Sequence, residues 1–566
     1  MHPPQEASCG GCLFRAVHNR LFGCKRRSSN PHRNPARLRS KPISQTRCSC
    51  AEFDAVSEIG SIRLVFLAFR CILKARATEI LRKRSTHISE QETIVKTSLT
   101  LGGLLLGGVA VFLGQFSATA LPGDGGDGGV ASGPDVIVGA IPDVQRYSPG
   151  NFNGTQYASY AFGSTSCNIG TQQLQWQPNP SNLHPVIPQN MFRIKDGAIE
   201  QIGMSFVKHG FCALQQTLCG SCQSAGAGCP TVLGIGCSDP YTAGLNGAQS
   251  DLKSRGPINP TTGVFSGSYT DPTPPSTLPS SIRERVAVKR NDLDPALNAG
   301  ATYVAECQYI HQQDAAGGND DNNSSYRLVT VGSTWSSSQG YPLTLTGPTV
   351  QQLPAIYAWR QIHSDVQIKS IDVPGDGRFL VGSRVINNGN GTWRYEYAIQ
   401  NLNSDRAGGS FSVPIPAGVT VTDIGFKSPA YINGENVSNA DWTASVANGM
   451  LTWTCEPNTN ANANALRWST LYSLRFTANV APAQSLGEVT LGVWKAPTAQ
   501  SPATSAVTAA NVPSAPAVTG DLDGDGSVGA GDLAALLNAW GTAAGDLDGD
   551  GTTNGADLTI LLSNWG

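Results

Sequence analysis

Phe379–Asn401 reads FLVGSRVINNGNGTWRYEYAIQN, two strand-like runs on either side of Asn388-Gly389-Asn390-Gly391. Asn-Gly steps tolerate the positive φ of a tight turn, so the stretch predicts a hairpin. On its second arm Trp393, Tyr395 and Tyr397 alternate with Arg394 and Glu396, which puts the aromatics on one face and the polar residues on the other. An aromatic row can line a sugar site, but this alternation is what a half-buried strand requires, and it reads as core. Similar short runs recur at Gly409–Val413, Val419–Phe426, Leu451–Cys455, Tyr472–Ala478 and Val489–Trp494. Strands at such spacing over residues 375–495 predict an immunoglobulin-like β-sandwich.

Outward toward the N-terminus the pattern stays β. Asn190–Ile194 and Ala198–Phe206 flank Lys195-Asp196-Gly197, and Thr302–Ile310 and Tyr326–Val331 read as further strands. One helix is predicted, over Gln351–His363, and the polar run Gln312–Ser325 reads as surface loop. Residues 135–370 are therefore expected to form a separate β-rich domain. Gly and Pro number 63 and 35 and charged residues are only 14% of the 566, a composition that favours turns over long charged helices.

Eight cysteines lie beyond residue 95: Cys167, Cys212, Cys219, Cys222, Cys229, Cys237, Cys307 and Cys455. Their even number points to disulfides, with a locally stapled loop over 212–237 and no pairing singled out. Cys219-Gly-Ser-Cys222 lacks the second CxxC that a zinc ribbon needs, so disulfide is the better reading.

Leu99–Phe116 is uncharged and apolar, follows Lys96 and precedes Ala118-Thr119-Ala120. Residues 95–120 read as a secretory signal peptide, with an uncut membrane anchor as the alternative. Residues 1–94 read as a mis-assigned gene start, with Val95 as the working start, or as a disordered basic leader. Residues 121–134 read as a Gly-rich spacer. Residues 1–94 carry 17 Lys/Arg against 7 Asp/Glu and residues 95–566 carry 22 against 34. The body is acidic, which argues against nucleic acid as its partner.

Toward the C-terminus, residues 496–519 hold no charge and no aromatic and read as an Ala/Pro/Thr linker. Two copies of one unit follow: GDLDGDGSVGAGDLAALLNAWG at Gly520–Gly541 and GDLDGDGTTNGADLTILLSNWG at Gly545–Gly566, alike at 13 of 22 positions. Each opens with an EF-hand-type spacing. Asp521, Asp523, Asp525, the Ser527 carbonyl and Asp532 are the expected ligands of the first loop. Asp546, Asp548, Asp550, the Thr552 carbonyl, Asn554 and Asp557 are those of the second. Hard carboxylate oxygens on one tight loop suit calcium, one ion per loop, and Gly526 and Gly551 permit the sharp turn. Leu533, Leu536, Leu537 and Trp540, with Leu558, Leu561, Leu562 and Trp565, form an apolar stripe on each following helix. The two stripes are expected to pack together and hide both tryptophans.

With these two loops and helices, residues 520–566 resemble a type I dockerin, the module that docks exported bacterial enzymes onto cohesin domains of a scaffold. The resemblance implies two Ca2+ ions, a cohesin-like scaffold or cell-surface partner and an extracellular location. It also implies the company of polysaccharide-degrading proteins. Loop positions 10 and 11 depart from the family, being Ala530-Gly531 and Gly555-Ala556.

The fold class expected is thus mainly β: a disulfide-containing β-rich domain and an immunoglobulin-like β-sandwich, with a small α-helical dockerin/EF-hand module at the C-terminus. No catalytic signature is found. His184 and His209 bracket Met191 and Met204, a set that suits copper, but satisfied histidines are the default reading. Asp196, Glu200, Asp239, Asp251, Asp292, Asp294 and Glu306 are carboxyl candidates for glycoside hydrolysis, and no spacing selects a pair. Two functions follow: a secreted component that binds or organises polysaccharide, or a glycoside hydrolase carrying a dockerin.

Overall fold

Residues 132–566 are described by the structure, a computed structural model. The basic leader, the signal segment and most of the Gly-rich spacer lie outside them. Near the start, Val136–Ala140, Ser164–Asn168 and Ser238–Tyr241 form one small antiparallel sheet, and Val144–Phe152, Thr155–Phe162 and Val286–Lys289 form another. Beside them runs a six-stranded sheet in the order Leu252–Lys253, Ala198–His209, Val186–Lys195, Thr302–Gln308, Ser324–Val331, Leu343–Val350. Its central hairpin turns at Asp196 and Gly197, with φ of 51° and 87°, the two left-handed residues that an Asp-Gly turn supplies.

The sandwich has two five-stranded sheets. One runs Gln367–Asp372, Arg378–Asn387, Trp393–Asn401, Thr470–Ala478, Val421–Lys427; the other runs Thr443–Ala447, Met450–Thr454, Gly408–Pro414, Gly487–Val493, Ser505–Ala510. Tyr395, Tyr397, Phe379, Phe411 and Trp453 fill the space between them, all essentially unexposed. The aromatic row is core.

Arg394 on the opposite face keeps a side chain 30% exposed, but Glu396 is not solvated, and this corrects the half-buried reading. Glu396 and Gln400 are 4% and 1% exposed. The reason is that the first sheet is covered on both faces. Leu380, Ala398 and Leu471 join Phe192, Ile194, Ile199 and Val304 of the six-stranded sheet and Trp359 of the Ile356–Ile362 helix in one core. The two β regions on either side of residues 370–375 therefore share one core. Burial holds Glu396 up to about 7.

A polar seam closes the same junction. Glu306 is fully buried; its Oε1 accepts from Asn190 Nδ2 at 2.8 Å, and its Oε2 from the Ala355 N–H at 2.6 Å and Gln400 Nε2 at 2.7 Å. Hydrogen bonds to a charged group contribute about 1.5–3 kcal/mol each, and a buried carboxyl without them is costly.

Two more expectations fail for long-range reasons. Gln312–Ser325 is not a surface loop: it forms the Gln312–Ala316 helix and runs into a strand, and Asp314 is buried. Asp314 accepts from the Val136 N–H and from Asn323 Nδ2, both at 2.7 Å, and burial raises its pKa. Residues 496–519 are not all linker. Ser505–Ala510 pairs antiparallel with Gly487–Val493, and Ala510 and Val512 enter the sandwich core. Small side chains suffice there, because the neighbouring strand edge supplies a ladder of unpaired backbone groups.

Six cysteines pair as Cys167–Cys219, Cys212–Cys229 and Cys222–Cys237, stapling the 212–237 segment. Cys307 and Cys455 are free and buried in different cores. Burial pushes the Cys455 thiol up to about 12.

Candidate metal centre

In the tail, Gly526 and Gly551 take φ of 92° at the sixth loop position, where a side chain would be strained. The turn lets backbone N–H groups organise the carboxylates. Asp521 accepts from Gly524 and Gly526, and Asp546 from Gly549, Asp550 and Gly551. Asp532 Oδ1 accepts from Leu522 and Asp523 at 2.6 and 3.0 Å, and its Oδ2 from Gly529 at 2.7 Å. Asp557 repeats this with Leu547, Asp548 and Asn554 at 2.6, 3.1 and 2.7 Å. Each closing aspartate thus ties the loop to the first turn of its helix, Ala530–Asn538 or Gly555–Ser563.

Oxygens of Asp521, Asp523, Asp525 and Asp532 lie within 4.8 Å of one another, as do those of Asp546, Asp548 and Asp550. The backbone donor of Gly529 is the leading cause that holds Asp532 below the usual carboxylate range, and Asn554 does the same for Asp557. Asp548 moves the other way. The Asp550 N–H lowers it, but desolvation and the Asp550, Asp557 and Asp546 charges prevail. Like charges packed this closely call for a cation. The donor set is all oxygen and fits calcium.

Asn554 Oδ1 accepts from the Ala556 N–H at 2.7 Å, while its Nδ2 donates to Asp550 Oδ2 and the Thr552 carbonyl. As placed, the Asn554 amide nitrogen rather than the expected oxygen faces that loop; exchanging the two amide positions, alike in shape, brings the oxygen in. A Cβ at Gly531 would meet only the carboxylate end of the Asp523 side chain, Oδ2 at 2.0 Å.

The two tryptophans are not hidden. Leu536 and Leu561 are fully buried, but Leu537, Trp540, Leu562 and Trp565 are 53%, 49%, 52% and 46% exposed. The helices end at Asn538 and Ser563, so each tryptophan sits past the last turn and off the packed stripe. The Gly541 stop signal after Trp540 could have shown this.

Elsewhere the sequence candidates take structural roles. His184 Nδ1 meets the Gln177 carbonyl at 2.7 Å, and its Nε2 faces His209 Nδ1 at 2.7 Å. Burial depresses the two histidines to about 4 and about 3. They are a neutral hydrogen-bonded pair, and Met191 packs separately in the core. Glu200 and Asp292 both pair with Arg193, at 2.6 and 3.2 Å. Asp251 lies 3.8 Å from Lys208, and Asp196 lies 3.5 Å from Lys195 in its turn. Asp294 accepts from the Ala296 N–H. Asp239 accepts from the Leu214 N–H, and burial pushes it up to about 6. Among the described residues no helix is long and apolar enough to cross a membrane, which says nothing of β-barrels.

Residues 519–564 match the dockerin type I domain family. No curated protein matches the chain. A solved structure titled "Complete structure of manganese lipoxygenase of Gaeumannomyces graminis and partial structure of zonadhesin of Komagataella pastoris" aligns with 63% of this chain and 88% of its own, at 8% identity and a TM-score of 0.16. That score is too low to bear on the fold.

Proposed function

We propose that this is a secreted or cell-surface protein in which two calcium ions order the dockerin module. The module holds the chain on a cohesin-like scaffold partner, and the β body is a binding component of extracellular polysaccharide handling. The observation that carries the docking reading is the twin set of acidic loops, each followed by a helix with exposed apolar residues. Leu537 and Trp540 in one copy and Leu562 and Trp565 in the other offer apolar area that a partner can bury.

Binding is favoured over glycoside hydrolysis because Glu200, Asp292, Asp239 and Glu306 are committed to cations or backbone donors within the body. The acidic balance of residues 95–566, 22 Lys/Arg against 34 Asp/Glu, argues against nucleic acid as a partner.

The test is calcium titration calorimetry followed by capture on an immobilised type I cohesin. We expect about two ions per chain, loss of binding heat in Asp521→Ala/Asp546→Ala, and capture that chelator abolishes. Trp540→Ala/Trp565→Ala keeps the calcium heat and loses capture. Capture that persists in chelator would remove the reading.

A further inference from the structure

Where the loop after Leu252–Lys253 meets the sandwich there is a cleft of about 450 Å³. That is within the range of roughly 300–1,000 Å³ typical of small-molecule sites. Neither β region makes it alone: Ser254 and Asp271 come from one, and Tyr431, Glu435, Arg467 and Trp468 from the other. Trp468 and Tyr431 reach its lining with their edges, being only 5% and 6% exposed. Asp271 and Glu435 give it carboxyls, and each is held in place from behind. Asp271 accepts from the Ser254 N–H at 2.8 Å and from Lys253 Nζ at 3.0 Å, and Glu435 Oε1 accepts from the Arg255 N–H at 2.6 Å.

Two groups on the cleft wall have no partner among the described residues, Ser254 Oγ and Arg467 Nε. Ser254 is 0% exposed. A buried hydroxyl left unpaired is costly, and native sites that keep one usually reserve it for something else. Arg467 is already oriented by bonds from its Nη2 to the Ala461 and Ala463 carbonyls.

The charges narrow the ligand. Lys253 is matched by Asp271 at 3.0 Å and Lys495 by Asp405 at 2.9 Å. The Arg255 guanidinium is spent on the carbonyls of Ser205, Ser469 and Gln189 and on Asn190 Oδ1. An anion would find no free cluster of cations, and a hydrocarbon would strand the carboxyls. Aromatic edges beside hydroxyl, guanidinium and carboxyl groups suit a ligand that carries both C–H groups and hydroxyls. We infer that this cleft binds neutral sugar rings of a polysaccharide chain, with the edges of Trp468 and Tyr431 against the ring C–H groups and Asp271, Glu435 and Ser254 as hydrogen-bonding partners. Burial holds the Glu435 carboxyl above its usual range. The inference rests on the polysaccharide reading above and names its site.

The full calcium-loaded chain is titrated with cellohexaose, xylohexaose and mannohexaose, with trigalacturonate as the anionic comparator, and in parallel is pulled down on insoluble cellulose, xylan and mannan. A neutral hexaose is expected to bind and to change tryptophan fluorescence. Ser254→Ala removes an unpartnered hydroxyl, so it should melt no lower than the parent yet bind about fivefold more weakly. Glu435→Gln keeps an acceptor for the Arg255 N–H and should lose about tenfold. If pull-down persists but no hexaose binds, or if both variants bind as well as the parent, the cleft assignment fails and the polysaccharide reading stands. Binding of trigalacturonate alone overturns the charge argument. If no sugar is bound in either format, both fail.

Discussion

The sandwich closes over Tyr395, Tyr397, Phe411 and Trp453, whereas the tail has three fully buried apolar side chains, Val528, Leu536 and Leu561. Burial scales with apolar area, so the body holds itself together and the tail does not. What the tail has instead is two rings of carboxylates that oppose its folding until a cation sits among them. Its order is therefore conditional on the ion, and the body's is not.

Chelation should break the pair apart most visibly. With EGTA the tail is expected to lose its helical circular-dichroism signal and its hydrogen-exchange protection over residues 520–566, while the body melts where it did before. A body that softened in step would end the contrast. Trp359→Ala attacks the other side. Trp359 is buried at the junction of the two β regions and donates to the Gly197 carbonyl at 2.9 Å. The loss should be about 3–5 kcal/mol, and urea unfolding should remain one transition for the whole body with calcium heats unchanged. Two separated transitions would show that the shared core does not couple the regions.

Disulfides sharpen the comparison further. Replacing Cys167 and Cys219 by serine opens a separation of 52 residues and should lower body stability by about 4 kcal/mol; the Cys222–Cys237 pair, 15 apart, should cost about 3. Neither change should alter calcium binding, as calorimetry can verify.

Acid gives the smallest effect on the body. Burial lowers His184, His209 and His311 to about 4, 3 and 3, so the folded body binds fewer protons than the unfolded chain as pH falls below about 6.5, and these groups destabilise it. Burial raises Asp239, Asp320 and Glu396 to about 6, 6 and 7, so over the same window the folded body binds more protons and is stabilised. The two sets oppose, but burial also raises Asp314, Glu306 and Glu435, so the balance favours the folded body and the melting temperature should not fall between about pH 6 and 4.5. Asp532 and Asp557 are depressed, so what they contribute is present above about pH 4 and is lost as acid titrates them. The tail should therefore release its calcium before the body melts, a sequence that a pH series of calorimetric scans can check.

How much was legible in the sequence follows the range of the forces involved. The Asp196-Gly197 turn, the Trp393–Tyr397 alternation and the twin acidic loops are local patterns, and each is where the pattern put it. The covered second face of the Trp393–Asn401 strand was hidden, because Glu396 and Gln400 look like solvated residues until another sheet arrives. Asp314 was hidden for the same reason: its partner Val136 is 178 positions away. Trp540 and Trp565 misled through periodicity, which continues past the point where the helix stops. Of the candidate sugar site, Asp271 and Glu435 belong to segments far apart in sequence, and no motif announces them.

The strand at Ser505–Ala510 has one more consequence. With the Ser514 N–H bonded to the Ala481 carbonyl and Val518 packed against the tail's own core, only Ala515–Ala517 remain as tether. At about 3.3–3.6 Å per residue that is a leash of about 10 Å, where the 24 residues from 496 to 519 would have given about 80 Å. A scaffold gripping the tail would carry the body as a close-held load with little room to swing, and neighbours on that scaffold would meet it at nearly fixed distance.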